Sequence, residues 1–163
     1  MSDPRRAPPL DKIMTWDRAR AWRANVRGRV VLTNGVFDLL HPGHVDLLLG
    51  AASRGDALLV AVNSDDSVRR LNKGPERPIR NAAERCYVLA ALGMVDAVVV
   101  FEQDTPFELV NWLRPDVLVK GGDYDESTIV GAHEVRSWGG DVVVIPLTPG
   151  HSTTATVERL RGR

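Results

Sequence analysis

The sequence predicts an α/β protein built on a parallel sheet with helices on both faces. Short apolar runs alternate along the chain with segments of helical spacing. The connections between them are short, which implies right-handed crossovers. The first apolar run leads directly into a glycine turn and a helix, and open sheets of this kind bind ligands at the carboxyl ends of their strands. We therefore expect a Rossmann-like, five-stranded sheet with the strand order 3-2-1-4-5.

The five predicted strands are apolar runs that end at turn residues. The first covers residues 29–32, and the second, at 57–62, is a continuous apolar run typical of a strand buried on both faces. The third covers 97–101, the fourth lies within 114–124 and the fifth covers 141–145. Helices are predicted between them and at both ends of the sheet, at residues 10–25, 45–52, 65–71, 82–92, 107–113, 130–138 and 155–160.

Length and charge limit the possible functions. A chain of 163 residues suits one α/β domain, which we place at residues 10–163 after a flexible, proline-containing tail at 1–9. Lysine and arginine together number 21, as do aspartate and glutamate, so no overall field favours nucleic acid or an anionic membrane. We expect any phosphate binding to be local, and we expect no nucleic-acid or membrane partner.

Cysteine content and hydropathy predict the compartment. Cys86 is the only cysteine, which excludes an intramolecular disulfide and a cysteine-based metal cluster, and we assign no protein-held metal. The sequence shows neither an apolar run long enough to cross a membrane nor the apolar core of a signal peptide. These features predict a cytoplasmic protein.

A turn at residues 33–44 organises the predicted site. It begins with Thr-Asn-Gly-Val-Phe-Asp and ends with His-Pro-Gly-His at the start of a helix. Pro42 suits the first helical turn, where a backbone N–H would have no partner, so His41 is expected at the helix N-terminus and His44 one turn inside it. Helical histidines are mostly packing residues, but two of them at this edge indicate a ligand site. Free N–H groups and the helix dipole favour an anion of several charges there.

The H-x-G-H pattern, with the run before it, resembles the signature of the cytidylyltransferase-like nucleotidyltransferases. The resemblance implies that the turn and both histidines, His41 and His44, hold a nucleoside triphosphate for attack at its α-phosphorus. A zinc protease matches poorly because its two histidines stand four residues apart with a glutamate between them, and no dinucleotide-binding fingerprint follows the strand. The other nucleotide contacts assigned in this turn are Thr33, Asn34, Gly35, Val36, Phe37 and Gly43.

A loop and two turns are further candidates for phosphate contacts. Residues 72–80 form either a solvated connector or a flap whose Lys73 stabilises the β- and γ-phosphates, and we expect the flap. A second glycine turn follows the fourth strand, and a hydroxyl-rich turn follows the fifth. The glycine turn is either a plain turn or a place where the backbone comes close to a ligand. The hydroxyl-rich turn is either a helix cap or a phosphate-binding site. The residues assigned to the nucleotide here are Lys120, Gly121, Asp123, Ser152, Thr153 and Thr154.

Other polar residues are assigned to the second substrate. Asn63 and Asp65 follow the second strand, where a buried polar group would favour a hydroxylated substrate. The alternative is that this segment is only the start of a helix capped by Ser64. Arg85 either faces phosphate or pairs on the surface. The substrate contacts predicted in total are Asp38, Asn63, Asp65, Arg80 and Arg85.

Residues 29–160 also resemble the D-glycero-β-D-manno-heptose 1-phosphate adenylyltransferases. The resemblance rests on residues 62–65, 77–78, 84–85, 116–124 and 152–154 as well as on the H-x-G-H signature. It implies that ATP and the heptose 1-phosphate give ADP-heptose and pyrophosphate, a step towards lipopolysaccharide core, with Mg²⁺ bridging phosphates and with Lys73 and Arg80 stabilising the departing pyrophosphate. This domain often follows a sugar kinase in that family, and we expect the stand-alone form here. His151 and Ala155 depart from the pattern.

Two other functions stay open on the sequence alone. One is a CTP-dependent cytidylyltransferase acting on glycerol 3-phosphate or a phosphorylated amino alcohol, because backbone groups can read either base. The other is a nucleotide-binding module without catalysis. The tryptophan-bearing first helix favours a homo-oligomer.

Overall fold

Six parallel strands form one sheet in the computed structural model, which describes residues 7–162. In chain order, β1 to β6 are Ile13–Met14, Val30–Gly35, Ala57–Asn63, Ala97–Phe101, Val117–Gly121 and Asp141–Ile145. Their order across the sheet is β1-β4-β3-β2-β5-β6. The five predicted strands are therefore present in the predicted order, and β1 is an additional edge strand. Of the predicted tail, residues 1–6 lie outside the described part of the chain.

The helices lie on both faces of this sheet. The described residues form α1 to α8 in chain order: Pro9–Lys12, Trp16–Asn25, Pro42–Ala52, Asp65–Arg70, Ala82–Ala90, Phe107–Leu113, Ala132–Ser137 and Thr153–Arg161. A 3₁₀ turn, Glu126–Thr128, precedes α7. Within residues 7–162, no helix has the length and apolar character needed to span a bilayer.

The strand β1 corrects the prediction of one continuous helix over residues 10–25. Ile13 pairs in register with Val98 and Met14 with Val99, which adds β1 to the free edge of β4. The indole N–H of Trp16 donates to the carbonyl of Val100 at 2.8 Å and fixes the start of α2 beside the same edge. Sheet pairing therefore competes successfully with helix formation at these two residues.

Local capping contacts set several helix starts. The Ser64 hydroxyl accepts from the N–H of Ser67 at the start of α4. Asn81 and Glu84 form a reciprocal capping box at the start of α5. Ser152 accepts from the N–H of Ala155 at the start of α8. These caps fix where each helix leaves the carboxyl edge of the sheet or the loop beside it.

Apolar clusters cover both faces of the central strands. One contains Leu32, Leu59, Val99 and Leu118, and the other contains Val31, Val60, Val98 and Val119. Adjacent residues of each strand thus face opposite clusters, as the period of a β-strand requires. The continuous apolar run predicted for the second strand is buried on both faces. This rigid core holds the carboxyl ends of β2, β3 and β5 next to one another.

Candidate active site

Two imidazole rings meet at the N-terminus of α3. His41 is the residue before the helix, in extended conformation, and Pro42 is the first helical residue. The ring centroids of His41 and His44 lie 3.8 Å apart at an angle of 19°, so the rings are stacked. Phe37 packs against His44 from the turn, with its centroid 5.3 Å away. The geometry predicted for the H-x-G-H segment is thus present at the start of this helix.

The environment keeps both imidazoles neutral near pH 7. Burial lowers the pKa of His44 to about 4, and the charge that His41 would carry acts in the same direction, against a smaller effect of the Leu39 backbone. The pKa of His41 is lowered first by burial and then by the neighbouring His151. A neutral imidazole carries one N–H donor, so each ring can donate one hydrogen bond to an anion.

Gly43 lets the His41 ring lie against the helix. A Cβ at this position would stand 3.1 Å from both Cε1 and Nδ1 of His41 and 3.4 Å from the Cβ of His151. The ring of His151 lies 6.1 Å from that of His41, at the same shallow angle of 19°. Three histidines from two segments therefore form one row along the site.

Lysine side chains face the histidines from other elements. Loss of hydration lowers the pKa of Lys73, and the positive charge of Arg77 lowers it further. Lys120, at the end of β5, has its pKa lowered by burial and then by Lys73. Its ammonium group lies 3.5 Å from the side-chain oxygen of Asn34. Cations that disfavour one another in this way are stabilised by a shared anion, which points to a polyanion site.

Two adjoining cavities open around these groups. The first, of about 370 Å³, is lined by the three histidines and the N-terminus of α8. The second, of about 320 Å³, is lined on its far side by Asn63, Asp104, Thr105 and Thr128. Their shared wall consists of Asn34, Gly35, Val36, Lys73, Lys120 and Tyr124. Two ligands bound in these cavities would meet beside the two lysines.

Comparison with protein families identifies the domain. The family model described as cytidylyltransferase-like matches residues 32–159, which include the turn, both lysines and the start of α8. The chain belongs to the cytidylyltransferase-like family. The prediction made from the H-x-G-H signature is thereby confirmed.

Curated relatives and solved structures agree with this assignment. The chain is 58% identical over 146 residues to the bifunctional protein HldE of Acidiphilium cryptum, covering 89% of this chain and 29% of that protein. It is 57% identical over 138 residues to HldE of Koribacter versatilis, covering 85% of this chain and 28% of the relative. The chain thus spans about three tenths of the length of these relatives.

Among solved structures, a lipopolysaccharide core biosynthesis protein of Thermoplasma volcanium superposes with a TM-score of 0.61. The two share 27% identity, over 75% of this chain and 98% of that protein. A pantoate-beta-alanine ligase of Francisella tularensis has a TM-score of 0.62 at 13% identity, over 90% of this chain and 72% of that one, which shows a common fold.

The cytidylyltransferase-like domain brings most predicted site residues to the first cavity. Those that line it are Asn34, Gly35, Val36, Phe37, Asp38, His41, Gly43, His44, Lys73, Lys120, Gly121, Ser152, Thr153 and Thr154. Asn63 lines the second cavity, and Arg80 and Arg85 line a third, of about 300 Å³, on the outer side of the turn. Thr33, Asp65 and Asp123 line none of the three.

Two residues assigned to the substrate have their charged groups bound by protein atoms. The Asp38 carboxylate accepts from Nε of Arg77 at 2.6 Å and from the N–H groups of Ile79 and Arg80. Arg85 is 2% exposed and donates to Asp65, to the carbonyl of Val36 and to the carbonyl of Arg80. These contacts tie the turn of the first cavity to the loop that carries Lys73.

Several lining residues were missed by sequence reasoning. Arg77 and Tyr124 line the first cavity, and Asp104, Thr105 and Thr128 line the second. Arg77 sits between glycine and proline breakers in a loop singled out for its cations, which was the available signal. Asp104 and Thr105 follow β4, where the sequence indicated only a helix cap, and Thr128 ends the 3₁₀ turn without any motif.

The last helix forms the outer wall of the first cavity. Thr153 donates to the carbonyl of Leu39 at 3.3 Å, and the cap contact from the N–H of Ala155 to Ser152 is 3.4 Å long and exposed. At the other end of α8, Arg161 pairs with Glu76 in the loop of Lys73. Ser152 and Thr154 therefore line the cavity from a helix start whose side-chain hydrogen bonds are long.

Proposed function

We propose that this chain is a sugar-phosphate adenylyltransferase that joins ATP and D-glycero-β-D-manno-heptose 1-phosphate to give ADP-heptose and pyrophosphate. The observation that carries the proposal is the shared wall with Lys73 and Lys120 between a histidine-lined cavity and a cavity lined by hydroxyl, amide and carboxyl groups. Identity to proteins named HldE and similarity to a lipopolysaccharide core biosynthesis protein support the heptose acceptor. We therefore assign the reaction to lipopolysaccharide precursor synthesis.

ATP would occupy the first cavity. The N–H groups of His41 and His44 would donate to its phosphates, together with the backbone of residues 34–37 and of Gly121. The hydroxyls of residues 152–154 would hold the phosphates from the opposite side, at the N-terminus of α8. His151 adds a third imidazole to this wall.

The sugar phosphate would occupy the second cavity. Asn63 is 4% exposed and its amide donates to the hydroxyl of Ser67, so its orientation is fixed. Asp104, Thr105 and Thr128 add a carboxylate and two hydroxyls from other loops. A fixed amide such as that of Asn63 selects a ligand with a matching hydroxyl, because an unmatched ligand leaves it unpaired.

The transfer needs no nucleophile from the protein. An anionic oxygen of the sugar phosphate attacks the α-phosphorus, forming one P–O bond, while the bond to the β-phosphate oxygen breaks and pyrophosphate leaves with that electron pair. Lys73 and Lys120 stabilise the charge that develops at the shared wall. Positioning of the two phosphates in line is the other main catalytic effect.

We propose that Mg²⁺ accompanies ATP as the counterion of its phosphates. Within residues 7–162, no three His, Cys, Asp or Glu side chains are grouped so that they could hold a metal ion. The Asp38 carboxylate, which lines the first cavity, is already bound by Arg77. We therefore propose that the described residues act directly on the phosphates rather than through a metal ion held by the protein.

We also propose a cytoplasmic, homo-oligomeric enzyme whose nucleotidyltransferase domain spans residues 10–163 and which binds no nucleic acid. Equal numbers of acidic and basic residues support the last point. The single, buried Cys86 suits a reducing compartment, where ATP is available. Self-association would use exposed apolar side chains such as Leu10, Phe107 and Trp112.

Pyrophosphate release tests the proposal. The chain is incubated with ATP or CTP and with the β or α anomer of the heptose 1-phosphate, or with glycerol 3-phosphate, and the products are identified by mass spectrometry. We expect ADP-heptose from ATP and the β anomer. Turnover with CTP alone would make the chain a cytidylyltransferase, and tight ATP binding without any product would make it a binding module.

A further inference from the structure

One carboxylate organises the loop that carries Lys73. Asp38 is 2% exposed and Arg77 is 6% exposed, and their side chains form an ion pair at 2.6 Å. The same carboxylate accepts the N–H groups of Ile79, at 2.9 Å, and Arg80, at 2.9 Å. Three donors from one loop therefore converge on a single acidic group at the turn after β2, and its oxygens already have strong partners.

A second buried group binds the far end of that loop. The Arg85 guanidinium donates to the carbonyl of Arg80 at 3.0 Å and to the carbonyl of Val36 at 2.8 Å. A third bond, to the Asp65 carboxylate, is also 2.8 Å long. The segment 77–80 is thus fixed to the turn by Asp38 from one side and by Arg85 from the other.

Lys73 depends on this segment for its position. It stands four residues before Arg77, and the N–H of Arg77 donates to the carbonyl of Gly74 at 3.1 Å. Lys73 lines both cavities, at the wall where the two ligands would meet. Besides the bond from the N–H of Asn72 to the carbonyl of Arg69 and the surface pair of Glu76 with Arg161, the buried contacts that anchor this loop come from the segment that follows.

We propose that Asp38 is a positioning residue that acts through Lys73: its carboxylate holds residues 77–80, and it contacts no substrate. The importance of Lys73 for transfer rests on the proposed function, whereas the anchoring of the loop rests on the contacts above. Buried hydrogen bonds to charged groups are worth more than neutral ones, so removing the charge of Asp38 releases the loop.

A double-mutant cycle tests this role. ATP affinity is measured by calorimetry for the unchanged chain, Asp38→Asn, Lys73→Met and the double variant. We expect Asp38→Asn to weaken ATP binding by about tenfold, and by no more than about twofold when Lys73 is already methionine, since coupled residues show non-additive effects. Equal losses in both backgrounds would overturn the proposal, because Asp38 would then act independently of Lys73.

Hydrogen exchange provides a direct view of the loop. In Asp38→Asn the amides of Ile79 and Arg80 lose their acceptor, and we expect them to exchange at least about tenfold faster, while amides of β2 and β3 keep their rates. Unchanged exchange at both amides would overturn the anchoring role. Neither calorimetry nor hydrogen exchange needs an acceptor substrate. Both therefore test the positioning role of Asp38 even if the protein turns over no sugar phosphate.

Two further variants separate positioning from folding. Asp66→Asn is the matched control, because Asp66 is exposed and pairs with Arg69 on the surface of α4. We expect it to leave ATP affinity and loop exchange unchanged.

Arg77→Lys is the alternative variant if Asp38→Asn does not fold. It keeps the positive charge but loses the planar guanidinium, so its effect on ATP affinity should also depend on Lys73, with a smaller coupling energy. Additivity of Arg77→Lys with Lys73→Met would refute the proposal as well.

Discussion

The two walls of the first cavity are built in different ways. The inner wall consists of the ends of β2 and β5, the start of α3 and the loop that carries Lys73. It contains buried charged groups such as Asp38 and Arg77, which form short bonds to backbone and side chains. The outer wall, at the start of α8, presents exposed hydroxyls whose contacts are 3.3–3.4 Å long. If the nucleotide binds in this cavity as proposed, we expect the inner wall to set the position of its phosphates in advance and the outer wall to adjust to them.

The largest effect should come from the inner wall. We expect His44→Ala to lower kcat/KM for pyrophosphate release by about 10²–10³-fold, the usual loss for one preorganised donor to a developing charge. The thermal midpoint should change little, because the loss is confined to ring contacts with His41 and Phe37 and to the interaction with the Leu39 backbone. His133→Ala, on the exposed side of α7, is the control and should keep full activity. A parallel loss of stability and activity in His44→Ala would show that the ring serves packing.

A smaller change at the same wall tests the fit of the rings. In Gly43→Ala the new methyl would stand 3.1 Å from the His41 ring, which must shift. We expect roughly a tenfold loss of ATP affinity by calorimetry, because displaced donors no longer match the phosphates. Gly93→Ala, where a Cβ meets nothing within 4 Å, provides the control. Full affinity in Gly43→Ala would mean that the ring position is not critical.

The inner wall should also take up protons with the nucleotide. The pKa of His44 is about 4 in the empty protein, and a bound phosphate raises it because it favours the charged imidazole. Between that value and pH 7, affinity should therefore rise as the pH falls, by less than about tenfold per unit for a single group. Calorimetry in buffers of different ionisation enthalpy measures the uptake.

Protonation of the free nucleotide contributes to the same measurement. His44→Ala removes only the contribution of the imidazole, so the difference between the two proteins isolates it. Identical proton uptake in both would show that His44 stays neutral in the complex.

The smallest effect is expected at the outer wall. Ser152→Ala removes a long, exposed cap contact, so we expect about a threefold loss of ATP affinity and a loss of stability near 0.5–1 kcal/mol. Thr15→Ala removes a comparable cap from α2, far from the cavities, and should reduce stability alone. If Ser152→Ala were as damaging as His44→Ala, the distinction between the two walls would be wrong.

The features that sequence reasoning predicted are those encoded by neighbouring residues. Pro42 at the first helical position and the caps at Ser64 and Ser152 each depend on a few adjacent residues. The apolar runs predicted five strands. Their order could be predicted because right-handed crossovers, and ligand binding at the carboxyl ends of the strands, are compatible with few arrangements of the sheet. The stacked arrangement at the start of α3 follows from the same local pattern.

The features that it missed depend on residues far apart in the chain. Asp38 and Arg77 are separated by 39 positions, and their pairing depends on the path of the loop. The strand β1 exists because the edge of β4, more than 80 residues away, accepts it. Neither contact produces a local pattern in the sequence. The burial of Asp38 and the strand that pairs with β1 could therefore be known only from the folded chain.

The ion pair between Arg161 and Glu76 connects the outer wall to the lysine loop of the inner one. Both partners are partly hydrated, and such a surface contact contributes only about 0–1 kcal/mol and weakens as salt screens it. This pair is therefore a weak contact beside the cavity in which we propose that the nucleotide binds. Ionic strength should thus change the rate at which nucleotide enters and leaves through this connection as well as the strength with which its phosphates are held.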